Sequence, residues 1–401
     1  MKGLLPVCLA AASLLPPAPA GAQGAAYGSV GAMISQDYES NLFATAGVDG
    51  EAQRGVITRI GPIVEAGYRS EPFRLSLRYE AAAERFWDRP ALNRRLGRQE
   101  GSFDLAFSPS RPVTLGLASS YIETHSPLEI DTGTSLVLGR IYAQRLTARP
   151  SLTWESSAVT RVTLDYEFVK EALGTGAATF LHTPGVRIER RGPRATYRVD
   201  YRTRAFGPPD AAFEATHIVV GGVRVTGRAV EADIEAGPRL FQAGLHPEIN
   251  AALRLRRRFA DYGFSYAETE TSVLGERGLM DVRRLRVDAA FQLGRDATIT
   301  AAPMWLRDRR DDRYAVIQAV EASLAARLSR RATLIVSGTM GRHAGTLSGA
   351  YKVIPYQTFE TLLRLSDPGE ADPLDRPRGG AAGRGPDDAA GRPARPEDGR
   401  R

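Results

Sequence analysis

Cysteine is almost absent from this sequence, and its absence removes one class of chemistry. The one cysteine, Cys8, lies within residues 1–22, which have the features of a secretory signal. Lys2 gives a short positive start, an apolar run follows, and Ala20-Gly21-Ala22 is a small-residue cleavage site. We expect the signal to be cleaved on export, so that the mature chain has neither disulfides nor thiolates available.

Long apolar runs are also missing after residue 22. A membrane-spanning helix needs about 20 consecutive apolar residues, and no later segment approaches that length. If the exported chain is integral to a membrane, it must therefore cross as a closed β-barrel, because lipid cannot satisfy open backbone hydrogen bonds. A membrane anchor is the alternative interpretation of residues 1–22, but their apolar run is short and prolines follow it.

Catalytic and metal-binding motifs are lacking as well. The five histidines are far apart in sequence and show no metal-ligand spacing, and there is no nucleophile elbow, phosphate-binding glycine loop or His-Glu-x-x-His. Asp165 and Glu167 would be about 6.5–7 Å apart on one strand face, a separation that also suits inverting glycosidases, but we expect a salt-bridge role for them. We predict no enzyme activity, metal or cofactor.

Charge, in contrast, is plentiful, with 53 Lys and Arg against 46 Asp and Glu and a pI near 9.6. Such a balance would ordinarily suggest nucleic acid. Here the basic residues are mostly arginines spread over many alternating segments, and the chain begins with a secretion signal. We therefore predict no nucleic-acid partner.

Residues 194–206 show the pattern that dominates the chain. Tyr197, Val199 and Tyr201 alternate with charged residues that include Arg198 and Asp200, and successive side chains of a strand point to opposite faces. The length suits the roughly 9–11 residues of a tilted transmembrane strand. The charged face must meet water, because an unpaired buried charge is costly.

About eighteen such segments occupy residues 26–365. Connections after even-numbered segments are mostly short, and those after odd-numbered segments are mostly longer, such as a predicted loop over residues 87–98. This asymmetry is typical of bacterial outer-membrane barrels. We predict an all-β fold, a transmembrane antiparallel β-barrel of about 18 strands (16–18). Residues 314–328 also fit a helix, and the gap after Phe241 is short where a long loop is expected.

Residues 366–401 differ in composition from the rest. They consist mainly of Pro, Gly, Ala, Asp and Arg, which cannot bury enough apolar area to fold. We expect a disordered periplasmic tail, either without a role or tethering the barrel to peptidoglycan or a partner.

The charged face predicts a wet lumen, because a barrel of this size leaves an aqueous channel. Arginine dominates that face and would favour anionic permeants. The alternative is that the arginines pair with neighbouring acids and stiffen the wall. The predicted lumen-lining residues are Arg74, Arg78, Arg145, Arg149, Arg187, Arg198, Arg202, Arg254, Arg256, Arg258, Arg284 and Arg286.

Residues 38–43, Tyr-Glu-Ser-Asn-Leu-Phe, resemble an element near the start of outer-membrane β-barrel porins associated with exopolysaccharide loci. The resemblance implies a barrel in the outer membrane, surrounded by outer-membrane lipid and lipopolysaccharide, with the barrel assembly machinery as a partner and polysaccharide export as its function. Family members usually end on an aromatic strand, whereas here the final segment, 351–365, is followed by the tail.

The function that we predict from the sequence is a porin-like channel in the cell outer membrane for polar solutes, with anions or a polysaccharide as the permeant. The alternatives are a barrel enzyme that acts on lipid or glycan, and a structural surface barrel with a plugged lumen.

Overall fold

The computed structural model describes residues 24–42, 53–130, 140–174, 176, 178–208, 212–241, 244–272, 278–310, 313–346 and 352–365. The predicted signal and tail lie outside these residues. The strands are β1 (Ala25–Glu39), β2 (Gly55–Arg69), β3 (Phe73–Phe86), β4 (Arg94–Ser110), β5 (Val113–Thr124), β6 (Ala143–Glu155), β7 (Thr160–Leu173), β8 (Thr179–Arg191), β9 (Ala195–Gly207), β10 (Glu214–Thr226), β11 (Val230–Phe241), β12 (Gly244–Arg256), β13 (Ala260–Ser272), β14 (Leu279–Leu293), β15 (Ala297–Arg310), β16 (Arg313–Ser329), β17 (Ala332–Gly345) and β18 (Lys352–Leu365).

The strands form one closed antiparallel sheet. Each strand pairs with its neighbours in sequence, and β1 also pairs with β18, which closes the barrel. The predicted all-β barrel of 18 strands is confirmed. Within the described ranges, no helix has the length and apolar character needed to cross a bilayer.

The two ends of the barrel differ. At one end the connections are short, from two to four residues each, and we call this the short-turn end. The opposite end, which we call the long-connection end, carries residues 40–54 between β1 and β2 and residues 125–142 between β5 and β6. Ala25 and Leu365 both lie at the short-turn end, because the strand number is even.

The structure corrects or resolves three predictions about local structure. Residues 314–328 lie in β16 and not in a helix, because pairing with β15 and β17 along the strand outweighs the helix preference of its alanines. The predicted loop over residues 87–98 is too long, since β4 begins at Arg94. The connection after Phe241 is indeed only two residues, and so is the connection between β15 and β16, so the long-connection end has two exceptions.

The wall has apolar side chains outside and charged side chains inside. On β9, Tyr197, Val199 and Tyr201 are 59%, 56% and 45% exposed, whereas Arg198 and Asp200 are 7% and 3% exposed. This alternation is the reverse of a soluble β protein, and it fits a barrel whose outer surface meets lipid.

One part of the wall bends into the lumen at the long-connection end. Pairing between β12 and β13 stops at Ile249 and Glu268, while β13 and β14 remain paired up to Ser272 and Leu279. Leu279 then packs in one buried cluster with Val169 on β7, Leu181 on β8 and Phe206 on β9. The ends of β13 and β14 therefore reach across the inside of the barrel.

Candidate functional site

The inner wall is lined by ion pairs more than by free arginines. At least nine of the twelve predicted lumen arginines have a carboxylate of a described residue within ion-pair distance. These nine are Arg78, Arg145, Arg149, Arg187, Arg198, Arg202, Arg254, Arg256 and Arg286. Pairing of this kind reduces the net positive charge that the lumen presents to a solute.

The other three predicted arginines occupy different surroundings. Arg74 is an exposed residue near the short-turn end, at the start of β3. Arg258 lies in the turn after β12, with its guanidinium carbon 4.9 Å from the centroid of the Phe259 ring. Arg284 lies on the inward face of β14, the face opposite the exposed Val287.

The densest cluster of charges lies on β1 to β4 near the long-connection end, and Arg59 is at its centre. Its guanidinium contacts three carboxylates, with N–O distances of 2.9 Å to Asp37, 3.0 Å to Glu84 and 2.7 Å to Glu129. Arg59 is only 8% exposed. Two of these contacts, to Glu84 and Glu129, are hydrogen bonds, and such charge-assisted bonds hold a buried guanidinium strongly because they gain strength away from water.

Glu129 brings the β5–β6 connection into this cluster. It ends a short 3-10 turn, Pro127–Glu129, and accepts hydrogen bonds from Arg59 at 2.7 Å and from Arg98 at 2.8 Å. Burial raises the pKa of Glu129, but Arg59, Arg98 and Arg140 outweigh it and hold the pKa below its ordinary value of 4.5. Glu129 is therefore ionised at neutral pH and fastens this connection to the inner wall.

The cluster extends through further charges along the same wall. Arg98 also pairs with Glu80 and Glu100, and Arg140 pairs with Glu84 at 2.7 Å. We call the full set the β1–β4 cluster. Its members are Asp37, Glu39, Arg59, Glu65, Arg78, Glu80, Glu84, Arg98, Glu100, Glu129 and Arg140. Carboxylates outnumber guanidinium groups in it, so this side of the lumen is locally acidic.

A second set of ion pairs connects β8 to β11. Asp200 accepts from Arg187 at 2.9 Å and from Arg202 at 3.0 Å. Glu235 accepts from Arg202 at 2.9 Å and from Arg198 at 2.8 Å. Each acid is shared by two arginines, which ties β8, β9 and β11 together on the inner face of the sheet.

Part of the inner wall is apolar, which the alternation did not predict. Val282, Leu306, Ile317, Ala319 and Tyr356 form a buried cluster on β14, β15, β16 and β18. All five lie on the face opposite outward residues of the same strands. The charged lining therefore covers only part of the circumference.

Asp165 and Glu167, the carboxylates weighed for catalysis, and a similar pair on β13, Glu268 and Glu270, each include an ion-paired member. Glu167 accepts from Arg149 at 2.8 Å, and Glu268 pairs with Arg283 at 2.7 Å. Among the residues that the structure describes, no group of three or more His, Cys, Asp or Glu is arranged to hold a metal ion.

The sequence reasoning missed the central residues of the β1–β4 cluster, Asp37, Arg59, Glu84 and Glu129. Alternation could have placed the first three on the inner face. Each lies in a strand whose outward apolar residues are an odd number of positions away, and residues at odd separations point to opposite faces. It could not have identified Glu129, which belongs to a connection and has no strand periodicity.

Comparison with known proteins supports the fold and goes no further. No family model and no curated protein matches the chain. The solved structure of OpdQ from Pseudomonas aeruginosa matches with a TM-score of 0.51 and 8% identity, covering 85% of this chain and 97% of that one. OccAB4 from Acinetobacter baumannii matches with a TM-score of 0.46 and 7% identity, covering 86% and 99%.

A third solved structure is a loop L8 deletion mutant of OmpT, an outer membrane protein of Vibrio cholerae. It matches with a TM-score of 0.42 and 12% identity, covering 86% of this chain and 99% of that one. The solved structures that this chain resembles are outer-membrane β-barrels. The association of residues 38–43 with exopolysaccharide loci stays a prediction.

Proposed function

We propose that this protein is an outer-membrane channel of the porin type, which passes polar solutes with a modest preference for anions. One observation carries the proposal: a closed 18-stranded barrel has apolar side chains on its outer wall and ion-paired charges along much of its inner wall. A barrel of about 16–18 strands is wide enough for an aqueous channel, and charges on its inner face need water or partners.

The unequal connections support a sidedness for this barrel. Bacterial outer-membrane barrels have short periplasmic turns and longer extracellular loops. We therefore assign the short-turn end to the periplasm and the long-connection end to the cell exterior. This location would surround the barrel with outer-membrane lipid and lipopolysaccharide, and it would require the barrel assembly machinery for insertion.

The preference for anions is proposed to be modest because of the ion pairs. The chain carries a formal charge of +7, but most of the predicted lumen arginines have acidic partners and the β1–β4 cluster is locally acidic. A polysaccharide is the second permeant that we propose. Its only support is the resemblance of residues 38–43 to the porins associated with exopolysaccharide loci.

A plugged structural barrel is the competing function, and one observation favours it. The Glu129 segment and the ends of β13 and β14 both lie inside the barrel at the long-connection end. If these two parts close the lumen, the ion pairs are structural and no solute passes.

Planar-bilayer recording separates the two functions. We expect stepwise ion currents from the folded protein and a reversal potential that indicates weak anion selectivity. Changing Arg254, Arg256 and Arg258 together to Glu should shift the reversal potential toward cation selectivity, because fixed lumen charge selects permeant ions.

The matched control is Arg342→Glu, because Arg342 faces outward on β17, where it donates to Gln318 at 2.8 Å. This change should leave the reversal potential where it was. An absence of current from folded protein would support the plugged barrel. Current with an unchanged reversal potential in the triple variant would place those arginines outside the conduction path.

A further inference from the structure

The barrel wall is split between β12 and β13 at the long-connection end. Their pairing stops at Ile249 and Glu268, although β11 and β12 continue to pair as far as Phe241 and Gly244. Residues 244–248 of β12 and 269–272 of β13 are therefore not paired with each other through backbone hydrogen bonds. Pro247 lies on this open edge, and an edge suits proline because it has no N–H to pair.

The two edges overlap instead of meeting. Arg239 projects from the inner face of β11. Asp281 lies on the face of β14 that points outward in the rest of that strand, toward the short-turn end. The two side chains nevertheless form an ion pair. Such a contact requires the ends of β13 and β14 to lie behind β11 and β12, on their lumen side. A cavity of about 550 Å³ lies between the two layers.

The cavity is charged, with guanidinium groups in excess. Its lining includes four arginines and three carboxylates, together with His246. Arg239 forms ion pairs with Asp281 and Glu248, and Arg283 forms one with Glu268. Arg309 on β15 lies directly opposite Asp281 on β14.

Arg307 distinguishes the cavity from the rest of the ion-paired wall. It lies on β15 directly opposite Arg283 on β14, and it takes part in no ion pair among the described residues. Arg309 lies on the same face, two residues further along β15. Like charges directly opposite each other on a sheet are destabilising, unless an anion lies between them.

We propose that this cavity binds the phosphorylated headgroup of an amphiphile in the outer leaflet. Arg307 and Arg309 lie on the face of β15 that points outward along the rest of the strand, and we place the mouth of the cavity on that lipid-facing side of the split. Its place near the strand ends corresponds to the headgroup region, where lipid-facing charge costs far less than at the bilayer midplane. Guanidinium groups bind phosphate in bidentate geometry.

The inference rests on the outer-membrane location proposed above, but not on conduction. The binding test uses folded full-length protein in detergent with dioctanoyl phosphatidate as the probe, read out by native mass spectrometry. We expect the wild type to retain this lipid and the double variant Arg307→Gln, Arg309→Gln to retain it at least tenfold more weakly. Dioctanoylglycerol, which lacks the phosphate, should not be retained by either.

Arg342→Gln is the matched control, because it removes an outward-facing arginine near the same end of the barrel but outside the cavity. It should bind as the wild type does. Equal retention by the double variant would overturn the proposal. Displacement of the lipid by millimolar inorganic phosphate as readily as by free phosphatidate would also overturn it, since the site would then be one for free phosphate.

A cross-linking measurement tests the split itself. The chain has no cysteine after Cys8, so introduced pairs can be read without interference. Asn250→Cys with Ala267→Cys joins observed partners at a Cα separation of about 4.5–5.5 Å, which is within disulfide range. His246→Cys with Thr271→Cys would be partners only if the same register continued.

We expect the first pair to oxidise readily and the second to remain reduced. Efficient oxidation of the second pair would show a closed wall and overturn the cavity. Conduction should be recorded on the same preparations. Loss of lipid binding with normal conduction would refute this inference alone, and lipid binding without conduction would refute only the channel.

Discussion

At the scale of single residues, Arg59 shows why an arginine-rich inner wall does not guarantee a strongly anion-selective lumen. Its guanidinium is shared by Asp37, Glu84 and Glu129. A guanidinium with this many acidic partners contributes little free charge to a passing solute, although each contact strengthens the attachment between strands. The number of arginines in a sequence is therefore a poor measure of the selectivity of its barrel.

Glu129 leads to a prediction about pH. Its folded-state pKa lies below the ordinary 4.5, so its ionised form stabilises the docked connection at all pH values above about 4.5, and this stabilisation is lost as pH falls through the folded-state value. We expect channel conductance to be constant between pH 8 and 5 and to change only in more acidic solution, as the connection leaves the wall.

The control for this prediction is Glu129→Gln, which has no carboxylate to titrate. It should show the acid-state conductance at every pH, because a lost charged partner weakens docking by about 1–3 kcal/mol. A conductance change centred between pH 6 and 7 in the wild type would mean that another group controls the connection.

At the scale of strands, the contact between β2 and β3 depends on a glycine. A Cβ atom added to Gly61 would lie 1.6 Å from the carbonyl oxygen of Ala81. The next residue, Pro62, has no N–H to donate, so a ladder hydrogen bond is also missing at this point. Any larger residue at position 61 must push the two strands apart.

We therefore expect Gly61→Ala to destabilise the barrel by about 1–3 kcal/mol, the usual cost of overpacking. The measurement is the urea midpoint for loss of the compact, heat-modifiable band on a denaturing gel. Gly221→Ala is the control, since no atom lies within 4 Å of its added Cβ. Equal midpoints for the two variants would show that β2 and β3 separate without cost.

Strand reasoning also explains which predictions from the sequence succeeded. Segments such as 194–206 and 282–293 alternate cleanly, and both lie in strands with the expected outward face. Residues 314–328 were ambiguous because alanine and leucine at a spacing of four suit a helix equally well. Pairing with β15 and β17 decided the outcome, and no local pattern reports that pairing.

At the scale of the whole molecule, the outer wall must tolerate lipid. Val219 lies midway along β10 and Val225 near its short-turn end, and both face outward, with 46% and 43% exposure. An arginine at the bilayer midplane costs about 2–4 kcal/mol and one near the interface about 0–1 kcal/mol. This difference in depth provides a test of membrane insertion.

We expect Val219→Arg to lower folding into lipid vesicles by about 2–4 kcal/mol and Val225→Arg to lower it by no more than about 1 kcal/mol. Equilibrium urea titrations in vesicles would measure both. Equal effects would contradict the membrane orientation. A wild-type protein that stays monodisperse in buffer without detergent would contradict insertion altogether.

The sequence alone indicated about 18 strands, the outward face of cleanly alternating segments such as 194–206, and connections that are mostly unequal at the two ends. These properties depend on spacing along the chain, and a strand's two-residue alternation encodes them directly. Only the tertiary structure decided that Glu129 reaches Arg59, that Leu279 crosses to Phe206 and that Arg239 meets Asp281. Alternation specifies inside or outside, but not which inward parts meet once the sheet has closed and bent.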